Sequence, residues 1–396
     1  MNIDGPVRTN IDGPVPTNID GYVHPRFGAV TETLRKVSAH RRGGGAAVAV
    51  YYGGELVVDA WTGNRDRAGT PWTRDTTAMS FSTTKGVVAT ALHRLRDRGL
   101  VEYDAPVAKY WPEFARAGKD EITVRHLLNH TAAMHRIRGV IDDAHDLLDW
   151  HRTCAALAAA QPAWAPGLRP GYHGITYGFL VGEVMRRVTG KTVDELILDE
   201  VATPLGLDGM SIGCPVDRRQ HLADLILVDR GDAGRSERLV DRLGRVRRLQ
   251  PMFDAFFVRG FDELIGGGRV YDGELPALNG CFTARSLAGM YAALIESSGF
   301  LSAETLALAT TQQTTQRDAV VHFPMRWRLG YHMAATLRGV LPHGFGHFGY
   351  GGSGAWADPN SKLAVAFVCN RVAGSPFGDQ RFLRIGAAAV RAAARR

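Results

Sequence analysis

The segment Met79-Ser80-Phe81-Ser82-Thr83-Thr84-Lys85 carries the strongest chemical signal in this 396-residue chain. The apolar pattern after it predicts a helix over residues 82–98, so Ser82 and Lys85, three residues apart, share one helical face. A lysine amine can take the proton of a serine hydroxyl when burial lowers the pKa of the amine. No other serine in the sequence is followed by a lysine at this spacing. Taken alone, the pattern is equally typical of a helix-capping serine beside an exposed lysine.

Two later blocks combine reactive side chains with glycine. The first contains Tyr172-His173-Gly174, a few residues after Trp164-Ala165-Pro166-Gly167. The second is Gly346-His347-Phe348-Gly349-Tyr350-Gly351-Gly352-Ser353. Glycines in such a block indicate a tight turn after a strand, and they also allow a substrate to approach the backbone closely.

In this order, the three blocks resemble the motifs of serine hydrolases of the class C β-lactamase and penicillin-binding-protein superfamily. The chain is most similar to the family VIII carboxylesterases, including actinobacterial lipase/esterases, over about residues 24–390. The resemblance implies that Ser82 is the nucleophile, that Lys85 helps to deprotonate it, and that Tyr172 is a second base and proton shuttle. A phenol beside a cationic lysine is expected to have a lowered pKa.

The resemblance also implies a binding site around the nucleophile. The backbone N–H groups of Ser82 and Tyr350 would form the oxyanion hole, and His347, Gly349 and Gly174 would contact substrate. Phe257, in the aromatic cluster at 253–261, is a candidate for the wall that binds the acyl chain, although such clusters are more often core.

Two positions depart from the β-lactamase pattern. β-Lactamases of this fold have an asparagine where this chain has Gly174, and usually a lysine where it has His347. These side chains bind the amide and the carboxylate of a β-lactam, and a simple ester has neither group. We therefore expect a serine carboxylesterase that hydrolyses short to medium acyl esters through an acyl-enzyme on Ser82. A β-lactamase, an acyltransferase and a catalytically silent penicillin-binding-like protein remain as alternatives.

Two other groups of residues partly match known sites, a zinc site and a nucleophile elbow, but each lacks a residue that its motif requires. His126, His130 and His135 suggest zinc, but the His-Glu-x-x-His pattern of zinc proteases is missing. Ser353 nearly matches the Gly-x-Ser-x-Gly nucleophile elbow, but Ala355 replaces the last glycine. We expect no metal and no cofactor.

The distribution of strands and helices predicts an α+β fold. Strands are expected at 46–52 and 55–61, as a hairpin around Gly53-Gly54, and again within 330–370, with mostly helical sequence between. This order predicts one antiparallel sheet built from both termini, flanked by terminal helices, with a helical domain inserted. The predicted divisions are an arm at 1–23 with an Asn-Ile-Asp-Gly repeat of eight residues, a sheet domain at 24–89 and 276–396, and a helical domain at 90–275.

Composition limits the classes of function. The chain is 45% hydrophobic and 22% charged, with a net charge of +7, and its arginine-rich stretch at 230–248 is interspersed with acidic residues, which favours a solvated surface over nucleic-acid binding. No apolar run reaches the roughly 18 residues of a membrane span. Four widely spaced cysteines and the absence of a signal-peptide pattern predict a cytoplasmic protein. The resemblance to carboxylesterases implies a small-molecule ester as its partner. The oligomeric state is left open, a homodimer included.

Overall fold

The computed structural model describes residues 18–38, 43–227, 246, 248–296, 299–372 and 379–395. The repeat units at residues 2–17, and the arginine-rich stretch apart from residues 246 and 248, lie outside these ranges. The strands are β1 (Asp20–Val23), β2 (Gly45–Tyr52), β3 (Glu55–Gly63), β4 (Ala78–Met79), β5 (Met210–Ile212), β6 (Ile226–Leu227), β7 (Gly280–Phe282), β8 (His332–Thr336), β9 (Gly339–Phe348), β10 (Gly354–Asp358), β11 (Leu363–Cys369) and β12 (Arg371–Val372). The α-helices are α1 (Gly28–Ser38), α2 (Thr84–Asp97), α3 (Val124–Leu128), α4 (Trp150–Ala159), α5 (Thr176–Thr189), α6 (Val193–Ile197), α7 (Thr203–Leu205), α8 (Gln250–Phe256), α9 (Phe261–Gly266), α10 (Ala284–Ile295), α11 (Ala303–Thr310) and α12 (Arg381–Ala394).

The main sheet has seven strands in the order β1-β3-β2-β11-β10-β9-β8, and each neighbouring pair is antiparallel. Its strands come from residues 20–63 and 332–369, which confirms the prediction of an α+β fold with a sheet built from both ends of the chain. The predicted hairpin is present: β2 and β3 meet at Gly53 and Gly54, both with positive φ. The end of the predicted N-terminal arm, Asp20–Val23, is itself the edge strand β1.

Helices cover both faces of this sheet. On one face, α1 and α12 pack over a core that contains Val48, Trp356 and Phe367. On the other face, α10 packs against β2, β10 and β11. Because one face of the sheet binds the terminal helices and the other binds an internal helix, strands β2 and β11 are buried almost along their full length.

Helix α2 joins the sheet layer to the helical part of the chain. Its residues from Thr84 to His93 are all buried, and it packs against α5 and α6. A small sheet, ordered β4-β7-β5, lies next to the start of α2. One hydrophobic cluster contains residues of α2, α5 and α10 together, so the core runs continuously across the predicted boundary at residue 90. The domain boundaries therefore stay a prediction.

Two local details differ from the sequence expectation. The sequence pattern at 194–201 predicts one helix, but this segment is divided into α6, a π-helical turn at Leu198–Ala202, and α7, which has Pro204 in its first turn. The pattern also predicts a strand at 344–348, but strand β9 is longer and begins at Gly339. In the described parts of the chain, no helix has the length and hydropathy of a membrane span.

Candidate active site

Ser82 lies in a 3-10 turn, Phe81–Thr83, that leads from β4 directly into α2. Phe81 has a positive φ of 46°, which is uncommon outside glycine and turns the chain sharply before the serine. The turn is fixed to the small sheet because Ser80 N donates to Gly280 O at 2.8 Å. Ser82 is half-buried, so part of this residue remains exposed to solvent.

Lys85 lies one helical turn further along and is completely buried. Its Nζ donates to Ser82 Oγ at 3.0 Å and to Ala277 O at 3.0 Å. Burial disfavours the charged ammonium and holds the pKa of Lys85 well below the ordinary lysine value. The structure thus brings together the two residues that the sequence paired, and the lysine has the electrostatic surroundings of a base.

Tyr172 lies in the loop between α4 and α5, and its side chain contacts Ser82 and Lys85. Its hydroxyl and that of Ser82 are hydrogen-bonded to each other, and Lys85 Nζ lies 5.0 Å from the centre of the Tyr172 ring. Burial raises the pKa of the phenol, although the hydrogen bond to Ser82 opposes this effect. The sequence-based expectation of a lowered Tyr172 pKa was therefore wrong: burial disfavours the cationic lysine that would have lowered it.

Asp318, which the sequence analysis missed, holds Tyr172 in place. Its carboxylate accepts from Tyr172 N at 3.1 Å, from Val320 N at 2.8 Å and from the indole Nε1 of Trp327 at 2.9 Å. The Trp327 ring stacks on the Tyr172 ring with centroids 5.2 Å apart. Asp318 therefore fixes both the backbone of Tyr172 and the aromatic ring beneath it.

The end of β9 forms the opposite side of the site. Gly349 lies so close to the nucleophile turn that a Cβ there would be 2.2 Å from Ser80 O and 2.9 Å from Thr83 Oγ1. The rings of Phe81 and Tyr350 meet edge to face, with centroids 5.4 Å apart. The two segments that carry the predicted oxyanion donors, Ser82 and Tyr350, are thus adjacent.

His347 is buried, and its side chain is electrically neutral in this setting. Its Nδ1 lies 3.1 Å from Phe348 O, and its ring is 4.6 Å from the ring of His332. Burial and the neighbouring His332 and Lys85 hold the pKa of His347 well below the ordinary histidine value. Among the described residues, its buried Nε2 has no hydrogen-bond partner. A neutral imidazole here does not supply the positive charge of the lysine that it replaces.

Gly174 is covered by the end of α8. A Cβ at this position would be 2.6 Å from Phe256 Cε1 and 2.8 Å from Ala255 O. The Phe256 ring also lies against the Tyr172 ring, with centroids 5.7 Å apart. Phe257, the residue selected from the sequence, stacks on Phe253 with centroids 4.8 Å apart. Adjacent phenylalanines point to different neighbours, and composition alone does not distinguish them.

The residues considered for other chemistry have separate contacts. His126 caps α3 through its Nδ1, which accepts from Thr123 N, while His130 pairs with His173 and His135 packs on Trp164. No group of three His, Cys, Asp or Glu side chains in the described ranges is arranged to hold a metal ion. Ser353 is buried, and its Oγ accepts from Cys369 N at 3.3 Å.

Comparison with known proteins places this geometry in context. A family model described as Beta-lactamase matches residues 30–390. Esterase/beta-lactamase LipL of Mycobacterium tuberculosis is 39% identical over 358 residues, which cover 88% of this chain and 82% of LipL. Among solved structures, a family VIII carboxylesterase has a TM-score of 0.80 at 33% identity, covering 95% of this chain and 100% of that one. A penicillin-binding protein homologue from Caulobacter crescentus has a TM-score of 0.81 at 33% identity, with the same coverage.

Proposed function

Because the chain belongs to the Beta-lactamase family, we propose that it is a serine carboxylesterase that hydrolyses short to medium acyl esters through an acyl-enzyme on Ser82. The observation that carries this proposal is the 3.0 Å hydrogen bond from Lys85 Nζ to Ser82 Oγ, made by an amine whose pKa burial holds well below the ordinary lysine value. The relatives support the same activity, since LipL and the family VIII structure are both named as esterases.

Acylation follows from the positions of three side chains. Ser82 Oγ attacks the ester carbonyl carbon while Lys85 accepts the hydroxyl proton. Tyr172, whose hydroxyl is hydrogen-bonded to that of Ser82, donates its proton to the leaving alcohol oxygen as the C–O bond breaks and takes up the proton held by Lys85, so both groups are restored. Water then attacks the acyl carbon and gives a proton to the same pair. When the bond to Ser82 Oγ breaks, this proton passes to Oγ, and the carboxylic acid leaves with the Ser82 hydroxyl restored.

The negative charge that develops on the carbonyl oxygen needs fixed donors. We assign this role to the backbone N–H groups of Ser82 and Tyr350, and the close approach of the turn before α2 to the end of β9 supports the assignment. Such donors act strongly because they are already oriented before the charge appears; removal of one typically costs about 10²–10³ in kcat.

Two features favour esters over β-lactams. Phe256 and Ala255 occupy the space beside Gly174 in which an amide-binding asparagine would need to lie. His347, being neutral, offers no cation to a substrate carboxylate. Gly174, Gly349 and His347 remain proposed substrate contacts. Hydrolysis of β-lactams, an activity included in the name of LipL, and acyl transfer to an alcohol remain secondary possibilities on the same Ser82.

The test compares p-nitrophenyl acetate and butyrate with nitrocefin on the purified protein. We expect kcat/KM for the esters to exceed that for nitrocefin by a large factor. Faster turnover of nitrocefin would favour the β-lactamase alternative, and turnover of neither would favour a catalytically silent protein.

The cellular setting is proposed on narrower grounds. The four cysteines, which all lie within the described ranges, are unpaired and buried. Unpaired thiols fit a reducing compartment, and we propose a cytoplasmic location on this basis. A small ester substrate needs no macromolecular partner, and the oligomeric state stays open.

A further inference from the structure

The last turn of α8 places an aromatic ring beside Gly174 and Tyr172. Phe256 Cε1 and Cδ1 would lie 2.6 Å and 2.8 Å from a Cβ at Gly174, and the ring is 5.7 Å from that of Tyr172. These distances are shorter than any non-bonded carbon–carbon contact. A side chain at residue 174 and the Phe256 ring in its present position therefore cannot both be accommodated. The ring occupies the volume in which a polar side chain could bind a substrate amide.

Backbone hydrogen bonds and an ion pair hold the end of α8 in position. Ile137 N and Arg138 N both donate to Asp254 O, at 2.7 Å and 3.0 Å, and the Asp254 carboxylate lies 3.6 Å from Arg136 Nε. Ala255, between these contacts and Phe256, is completely buried. The backbone from which the Phe256 side chain projects is therefore fixed to the 136–138 loop.

The surroundings of the ring are apolar. Phe256 packs in a cluster with Tyr172, Trp327, Met252, Met325 and Val320. An acylamino substituent placed against this surface would lose its hydrogen bonds to water and gain none from the wall, which disfavours its binding. A plain alkyl chain meets no such cost, but the ring limits how far the chain can extend.

Resting on the proposed function, we propose that Phe256 is the residue that sets acyl selectivity. It excludes acyl groups with an amide substituent beside the carbonyl, and it limits the length of the straight acyl chains that the site accepts. This role belongs to Phe256 and not to Phe257, whose ring stacks on Phe253.

The test measures kcat/KM for p-nitrophenyl acetate, butyrate and octanoate with Phe256→Ala and Phe256→Leu. We expect the octanoate-to-acetate ratio to rise about tenfold to a hundredfold in Phe256→Ala, which is roughly the discrimination that a pocket achieves against a single methylene that it cannot accommodate. Phe256→Leu keeps an apolar residue in the helix, and the octanoate-to-acetate ratio should rise less in this variant than in Phe256→Ala. Phe261→Ala, which removes a partly buried phenyl from the neighbouring helix α9, is the matched control and should keep the wild-type ratio.

A reciprocal arm tests the volume argument directly. Gly174→Asn alone should lower ester turnover strongly, and Gly174→Asn combined with Phe256→Ala should recover part of it, because the clash with the ring is removed while the contact of a Cβ at 174 with Ala255 O, at 2.8 Å, remains. An unchanged ratio in both Phe256 variants, or a larger shift in Phe257→Ala, would overturn the assignment while leaving the esterase proposal intact. A wild-type protein that turns over none of the three esters would overturn the proposed function and this inference together.

Discussion

Lys85 and Tyr172 have opposite pKa shifts, although burial causes both. For the lysine, burial disfavours the charged acid form and lowers the pKa; for the tyrosine, it disfavours the charged base form and raises the pKa. Burial therefore favours the neutral form of both groups. Lys85 is then the proton acceptor for Ser82, while Tyr172 acts as a hydroxyl that donates and accepts without ionising in the resting state.

This assignment determines the pH dependence of the reaction. Only the uncharged amine accepts a proton, so kcat/KM should rise with pH through the pKa of Lys85, below the 10.5 of an ordinary lysine. Because burial raises the pKa of Tyr172, its deprotonation should not cause a fall in rate at moderately alkaline pH. A pH–rate profile with p-nitrophenyl acetate, corrected for spontaneous hydrolysis, measures both features.

Tyr172→Phe separates the two groups. It keeps the ring on Trp327 but removes the hydroxyl, and the loss of a positioned acid–base group should lower kcat by about 10²–10⁴. Since Lys85 remains, the apparent pKa of the residual activity should stay close to that of the wild type. Nearly wild-type kcat in this variant would mean that another group carries the proton to the leaving alcohol.

At this scale, the sequence was informative where contacts are local. Ser82 and Lys85 could be paired because three residues separate them on one helix. Tyr172 was identified only through the resemblance to a known family, since an aromatic residue in a glycine-rich turn has no distinctive pattern of its own. Asp318 could not be predicted, because its contact with Tyr172 joins positions 146 residues apart.

At the scale of elements, the site depends on how closely β9 approaches the turn before α2. Gly349 has an ordinary negative φ of −100°, so its backbone would accept another residue, and only the lack of space requires glycine. The sequence analysis expected a tight turn or a close substrate at this glycine. The structure shows a third reason, which is direct contact between two backbone segments.

Gly349→Ala should therefore impair catalysis more than folding. The added methyl group would push β9 away from Ser80 O, and a displacement of about 1 Å can cost about 10²-fold in rate. The measurement is kcat for p-nitrophenyl butyrate beside the urea midpoint of unfolding. Gly266→Ala, where a Cβ meets nothing within 4 Å, is the control and should change neither quantity appreciably. Wild-type kcat in Gly349→Ala would show that the approach of β9 is not needed for activity.

For the whole molecule, the order of strands and helices along the chain predicted the architecture well. Alternation around Gly53-Gly54 and the apolar runs near the C-terminus located the central strands, because both depend on local sequence. The edge strand β1 was not predicted, since its four residues are mostly exposed and gain their order from pairing with β3.

Buried histidines make the stability of the whole fold dependent on pH. His93 is completely buried, and burial lowers its pKa from 6.5 to about 4. Between these values the unfolded chain binds the proton and the folded chain does not, so this contribution to stability is complete above pH 6.5 and is lost as the pH falls to 4. For His93 alone, the free energy of unfolding decreases by ~3 kcal/mol over this pH range. His332, with a pKa of about 4, adds to it.

Urea unfolding at pH 7, 6 and 5 measures this effect. In the wild type, we expect the free energy of unfolding to decrease steadily as the pH is lowered from 7 to 5. His93→Gln should be less stable at pH 7, since it loses the hydrogen bond with Tyr103, but its decline toward pH 5 should be shallower. An equal slope in both proteins would show that His93 does not contribute to the acid sensitivity.

The central claim is that Ser82 forms the covalent acyl-enzyme, and labelling with a fluorophosphonate followed by peptide mass spectrometry tests it most directly. The account predicts a single adduct on Ser82 in the wild type, no adduct in a folded Ser82→Ala variant, and loss of nearly all ester hydrolysis in that variant. An adduct on Ser353, together with ester hydrolysis that persists in Ser82→Ala, would contradict it.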